Sequence, residues 1–180
     1  EGFLMKIMSP TNLSTYNKET WEKQQEEILL YENRLAEQAK SVAPGNNYKE
    51  IRCKGVDGEE IALSDVIAKN RYVLLDFWAS SCVPCMHELP HLLAAYEKYH
   101  SKGLEIYALS LDNDKNAWAN TVKDKELEWI NVLCERDEAR VQYGIRHTPS
   151  NFLIDCSTGK IVATHLRGEA LIAKLMELFE

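Results

Sequence analysis

The sequence predicts an α/β fold with a mixed sheet, and three observations carry that prediction. Residues 72–79 (YVLLDFWA) form an almost continuous apolar run bounded by polar residues, the pattern of a central strand covered on both faces. From there to about residue 143 strand and helix signals alternate, as in a parallel sheet with crossover helices. Two adjacent strand signals, 152–154 and 161–164, then precede a last helix, and strands joined by so short a turn run antiparallel.

The elements follow in chain order. Residues 18–41 contain no Gly or Pro and are rich in Glu, Gln, Lys, Leu and Ala, so they read as a helix. Trp21, Ile28, Leu35 and Val42 recur at every seventh position, but the intermediate positions hold Gln24, Tyr31 and Gln38. That favours a helix laid on the domain, or bridging to further sequence, over a sustained coiled coil. Residues 43–47 (APGNN) end it and form a linker. Segments 51–54 and 60–63 flank Val56-Asp57-Gly58, a hairpin signal, and Ser64 or Asp65 can start a short helix to Ala68. After the 72–79 strand, a helix is expected from about 84 to 100 with Leu89, Leu92, Leu93, Tyr96 and Tyr99 as its apolar stripe. Segment 104–111 reads as another buried strand. Asp112 or Asp114 can cap a third helix carrying Trp118 and Val122. A strand at 129–133, a short helix at 138–143, the two strands joined at Ser157-Thr158-Gly159 and a helix at about 169–179 complete the chain.

Length and charge bound the function. At 180 residues the chain is one domain with an appendage, since domains run to about 100–200 residues; the expected division is an extension over 1–43 and a main domain over 44–180. A net charge of −7 without a Lys/Arg cluster argues against nucleic acid or an anionic membrane surface as partner. No run approaches the ~20 apolar residues of a membrane span. The chain begins at Glu1, and its opening GFLMKIM is too short and interrupted for a signal peptide's apolar region. Any membrane attachment is therefore expected from upstream sequence.

Five cysteines, Cys53, Cys82, Cys85, Cys134 and Cys156, cannot all pair within one chain. Only Cys82 and Cys85 are close in sequence, which suggests one special pair and three bystanders, with Cys53 and Cys134 buried and Cys156 exposed at a turn. WASSCVPC puts the pair at the junction of a buried strand and the following helix. Unpaired N–H groups and the positive end of the helix dipole there stabilise a thiolate. The first cysteine can then attack a disulfide and the second, one turn in, can resolve the mixed disulfide. Pro84 fits the first turn, where its missing N–H costs nothing. A zinc half-site would need two more ligands, and Cys134 and Cys156 lie far apart without a second CxxC. His87-Glu88-Leu89-Pro90-His91 matches HExxH, but Pro90 interrupts the helix between the would-be ligands and no third ligand follows, so no metal is expected and both histidines should face solvent near the thiols. Asp112–Asn116 opens like a calcium loop, yet Ala117 stands at the Gly position and Lys123 at the closing Glu.

With these motifs the chain resembles thioredoxin-fold proteins, and more narrowly the TlpA/ResA-type extracytoplasmic thiol-disulfide oxidoreductases, including the lipoprotein-associated forms of Bacteroidetes-type bacteria. The likeness covers 41–180, with DGEEIALSD, YVLLDFWASSCVPC, ELPHLLAAYEKYHSKGLEIYALSLD, YGIRHTPSNFLID, GKIVA and LRGEAL in family order. It implies a three-layer sandwich around a mixed central sheet, with an N-terminal β-hairpin and here an added N-terminal helix. It implies Cys82 as attacking and Cys85 as resolving thiol, and a cis bond at Thr148-Pro149 beside the dithiol, where the Thr148 backbone can pair with an extended client. Asp76 matches the buried acid of thioredoxins and Glu88 the acid that TlpA/ResA-type proteins carry after the motif; a buried carboxyl there could take the Cys85 proton. Trp78 and Pro84 complete the client-binding set. The family usually has Trp directly before the first cysteine, and this chain has Ser81.

The function so implied is reduction or exchange of protein disulfides, without a cofactor, between a disulfide-containing client and an upstream thiol donor in the periplasm or cell envelope. Two alternatives stand beside it. One is a non-enzymatic thioredoxin-like binding module. The other is a peroxiredoxin-like peroxidase, disfavoured because Ala79 and Leu75 occupy the positions where that chemistry uses Thr or Ser and Pro.

Overall fold

The computed structural model describes residues 18–134 and 137–180; the GFLMKIM stretch lies outside them. Its elements are α1 (Lys18–Ser41), β1 (Arg52–Gly55), β2 (Glu60–Ala62), α2 (Leu63–Ile67), β3 (Tyr72–Trp78), α3 (Val83–Tyr99), β4 (Leu104–Ser110), α4 (Lys115–Asp124), β5 (Ile130–Leu133), α5 (Glu138–Gln142), β6 (Ser150–Asp155), β7 (Lys160–Thr164) and α6 (Glu169–Phe179). They form a seven-stranded sheet in the order β2-β1-β5-β4-β3-β6-β7. The inner three strands, β5, β4 and β3, are parallel, and the strands outside them on both sides are antiparallel.

The period-2 alternation of a strand explains the three layers. Val73, Leu75 and Phe77 of β3 point into one core, shared with Leu63, Val66 and Ile67 of α2 and Ala139 of α5. Leu74 and Trp78 point into the other, shared with Leu92, Ala95 and Tyr99 of α3, Trp118 of α4 and Leu171 and Leu175 of α6. Asp76 lies between Leu74 and Trp78 in this alternation and so shares the α3/α6 face.

Helix α1 is laid on the domain through its C-terminal half. Leu35 and Val42 are buried while Leu29 and Leu30 are exposed. Tyr31 donates to Asp137 and Arg146 pairs with Glu32. The closest approach is at Gly144, whose φ of +63° already favours glycine; a Cβ there would collide with the backbone of Leu35 and Ala39.

Three sequence expectations need correction. Cys53 and Cys134 are not bystanders: they form a disulfide, with Cα atoms 4.9 Å apart. The reason is topological. β1 pairs with β5 in the register Lys54 opposite Leu133, so the next residue on each strand is a cysteine, although 81 positions separate them in sequence. Cys156 is half-buried rather than exposed. Helix α3 continues through Pro90, and His91 is half-buried with its Nε2 3.9 Å from Glu169 of α6, so only His87 faces solvent as expected.

Candidate active site

Cys82 is the N-cap residue of α3, with Pro84 in the first turn. Its Sγ accepts the Cys85 backbone N–H at 3.2 Å, a donor that the helix geometry leaves unpaired. The two sulfurs are joined as a disulfide. Both are largely covered, Cys82 at 8% and Cys85 at 5% exposure, while Val83 and Pro84 between them are exposed.

The loop into the motif is tied down by Asp112. Its carboxylate accepts from the Ser80 N–H and hydroxyl and from the Ser110 hydroxyl. Of the two candidate caps of α4, Asp114 is the one used, accepting from Asn116 and Ala117 N–H; Asp112 serves the loop instead.

Beneath the dithiol lies a cavity of about 20 Å³, lined by Cys85, Asp76, Glu88, Trp78, Trp129 and Pro149 among others. That is room for about one water molecule. Asp76 is 4% exposed, and burial pushes its carboxyl up to about 7. The Arg167 charge pulls it down and the Glu88 charge adds to the rise. Glu88 Oε2 accepts the Gly168 N–H at 2.8 Å. The Thr148–Pro149 bond is cis, and the Pro149 carbonyl accepts a hydrogen bond from Arg167 Nη2. Thr148 is half-buried and Ser81 exposed.

The expected residues Cys82, Cys85, Asp76, Glu88 and Pro149 therefore come together, and Pro84 flanks the sulfurs. Trp78, at 4% exposure, is a wall of the cavity. The sequence reasoning missed Asp112, Asn151 and Arg167. Asn151 lies opposite Asp76 on β6 and clamps Leu166 by two hydrogen bonds of 2.8 Å, fixing the loop that carries Arg167. Each lies in a quoted stretch, Asp112 at the end of ELPHLLAAYEKYHSKGLEIYALSLD, Asn151 in YGIRHTPSNFLID and Arg167 in LRGEAL, but none of these strings shows what the side chain touches. Among the described residues no three His, Cys, Asp or Glu side chains group to hold a metal.

A CxxC disulfide at the head of a helix, on a sheet of this order, defines a thioredoxin-like thiol-disulfide oxidoreductase. The comparisons agree, and the chain belongs to the AhpC/TSA family, which it matches over residues 44–164. Thiol-disulfide oxidoreductase ResA of Bacillus thuringiensis subsp. konkukian is 35% identical over 122 residues, 68% of each chain. ResA of Bacillus subtilis is 30% identical over 142 residues, 78% of each. The thioredoxin domain of a thiol-disulfide oxidoreductase from Bacteroides vulgatus superposes with a TM-score of 0.71 at 32% identity, covering 78% of this chain and all of that one. A thiol:disulfide interchange protein from Bacteroides sp. gives 0.70 at 32% identity, over 77% and 91%. The protein is an enzyme of thiol-disulfide exchange that acts on disulfide-bearing substrates.

Proposed function

We propose that the protein reduces or exchanges disulfides in client proteins outside the cytoplasm, through residues 44–180, with 1–43 as an extension. The observation that carries the reading is the Cys82–Cys85 disulfide at the head of α3, above a cavity shared with Asp76. In the reduced enzyme the Cys85 N–H and the α3 dipole stabilise a Cys82 thiolate. That thiolate attacks a client disulfide: a Cys82–client bond forms, the client S–S bond breaks, and one client sulfur leaves as thiolate. Cys85 then gives its proton to Asp76, directly or through one water, and attacks Cys82 Sγ. The Cys82–Cys85 bond forms, the Cys82–client bond breaks, and the client leaves as a dithiol. A thiol donor returns two electrons to the enzyme. Glu88 raises the proton affinity of Asp76 as a second acid in the same cavity. Thr148 beside Pro149 and the exposed Val83 and Pro84 are the client-binding surface, as short backbone pairing and apolar contact suit an extended chain.

An extracytoplasmic setting is supported by the second disulfide, Cys53–Cys134, because structural disulfides persist in oxidising compartments. Among the described residues no helix is long and apolar enough to cross a membrane.

Dithiothreitol-driven insulin reduction tests the reading. Cys82→Ser is expected to abolish it, and Cys85→Ser to trap a mixed disulfide on Cys82. Equal rates for wild type and Cys82→Ser would overturn it. Peroxide consumption, the other chemistry implied by the family's description, is expected to be absent, because Ala79 and Leu75 replace the residues it uses.

A further inference from the structure

The proton step leaves one problem. Asp76 is buried beside a second acid, Glu88, and a carboxylate in the same small cavity disfavours its ionisation. An acid held neutral cannot accept the Cys85 proton. The groups facing Asp76 come from four elements. Helix α3 presents Glu88 and Cys85, β4 presents the uncharged Ala108 and β6 the uncharged Asn151 in register. The loop between β7 and α6 brings in Arg167, whose guanidinium donates to the carbonyl of Pro149, a wall of the cavity that Asp76 and Glu88 line; it is the positive charge in this set.

That loop is held in an unusual number of ways. Asn151, directly across from Asp76, bonds both the N–H and the carbonyl of Leu166. His165 N–H returns to the Asn151 carbonyl at 3.0 Å. Arg167 Nη2 donates to the carbonyl of Pro149, and Gly168 N–H donates to Glu88. Three consecutive residues thus hold the strand opposite one acid, the proline beside the dithiol and the second acid itself.

We infer that Arg167 is a positioning residue of the exchange reaction: its guanidinium, fixed on the Pro149 carbonyl, is the countercharge that lets Asp76 stand ionised beside Glu88 when Cys85 must lose its proton. The inference rests on the proposed role of Asp76. Lysine at 167 would keep the charge, glutamine would keep a donor for the Pro149 carbonyl without the charge, and methionine would keep neither.

The test follows the second thionitrobenzoate released when protein reduced at Cys82–Cys85 alone, with Cys53–Cys134 left closed, meets Ellman's reagent in stopped flow, which reports the Cys85 step, as a function of pH. In the wild type the rate rises as Asp76 ionises. In Arg167→Gln and Arg167→Met the rise is expected to move up by about one pH unit, as loss of a nearby opposite charge moves a carboxyl. The step at pH 7 then slows roughly fivefold, in proportion to the ionised fraction. Arg167→Lys is expected to hold the wild-type position. Should Arg167→Met not fold, the Gln and Lys pair decides alone. A rise that stays in place in Arg167→Gln, or moves equally in Arg167→Lys, overturns the inference. Asp76→Asn separates the two levels. A pH dependence that survives in Asp76→Asn overturns the acid's role and this inference together. One that Asp76→Asn abolishes but Arg167→Gln leaves unmoved overturns this inference alone.

Discussion

The carboxylate of Asp112 accepts hydrogen bonds from both the backbone N–H of Ser80, at 2.9 Å, and its hydroxyl, at 2.6 Å. Ser80 is two residues before Cys82, so the chain just after β4 holds the loop that leads into the Cys82–Cys85 disulfide. Removing an acceptor shared by several donors leaves them unpaired in a half-buried place. Asp112→Ala is expected to cost about 1–3 kcal/mol in urea unfolding of the oxidised protein and to slow insulin reduction. Unchanged stability would mean that the loop is held by other contacts.

The Cys53–Cys134 bond closes a loop with a sequence separation of 81. In the chain-entropy account, closing so long a loop stabilises by about 4 kcal/mol. The double variant Cys53→Ala/Cys134→Ala should lose stability on that order, read as a lower denaturation midpoint, while keeping insulin reduction where it remains folded. Loss of dithiol chemistry in a folded double variant would instead assign this pair to the reaction.

Burial and the neighbouring Asp155 charge push the Cys156 thiol up to about 12. At pH 8 its thiolate fraction is about one in ten thousand. Iodoacetamide should therefore leave Cys156 of the oxidised native protein unmodified at pH 8 and label it on unfolding, with mass spectrometry as the readout. Rapid labelling of the native protein would show a more open site.

Asp76 titrates at about 7 when folded, against about 3.9 in an unfolded chain. Between those values the folded state binds the proton more tightly. Its contribution to stability is therefore fullest below about pH 4 and is lost as pH rises through 7, a difference of about 4 kcal/mol. Asp76→Asn removes this dependence. The wild type minus Asp76→Asn difference in unfolding free energy should fall from pH 4 to pH 8, with the variant the more stable at pH 8 despite its slower exchange. A flat difference would show that the carboxyl titrates like an exposed one.

How much of this was legible in the sequence depends on how local the cause is. The strand–CxxC–helix junction is written in consecutive residues, and so is the apolar run 72–79, so β3, α3 and the dithiol were read directly. The heptad Trp21, Ile28, Leu35, Val42 announced a helix, but only Leu35 and Val42 are buried, because the domain reaches only the C-terminal half of α1. The Cys53–Cys134 pair could not be read, because the β1–β5 neighbourhood arises from sheet order and not from spacing. Asp112 was read as one of two caps because an acid before a helix has two uses, and only the position of Ser80 chooses between them. Arg167 was invisible as a site residue for the same reason: the groups it acts on come from β3 and the chain before β6.

The backbone contact at Gly144 fixes where the N-terminal helix stands relative to the dithiol. A leader joined by flexible chain would let the dithiol be met from any side. Here α1 rests main chain against main chain on Gly144, five residues before Pro149. The helix and the chain that leads to Pro149 therefore keep a fixed mutual bearing, set by the fold itself.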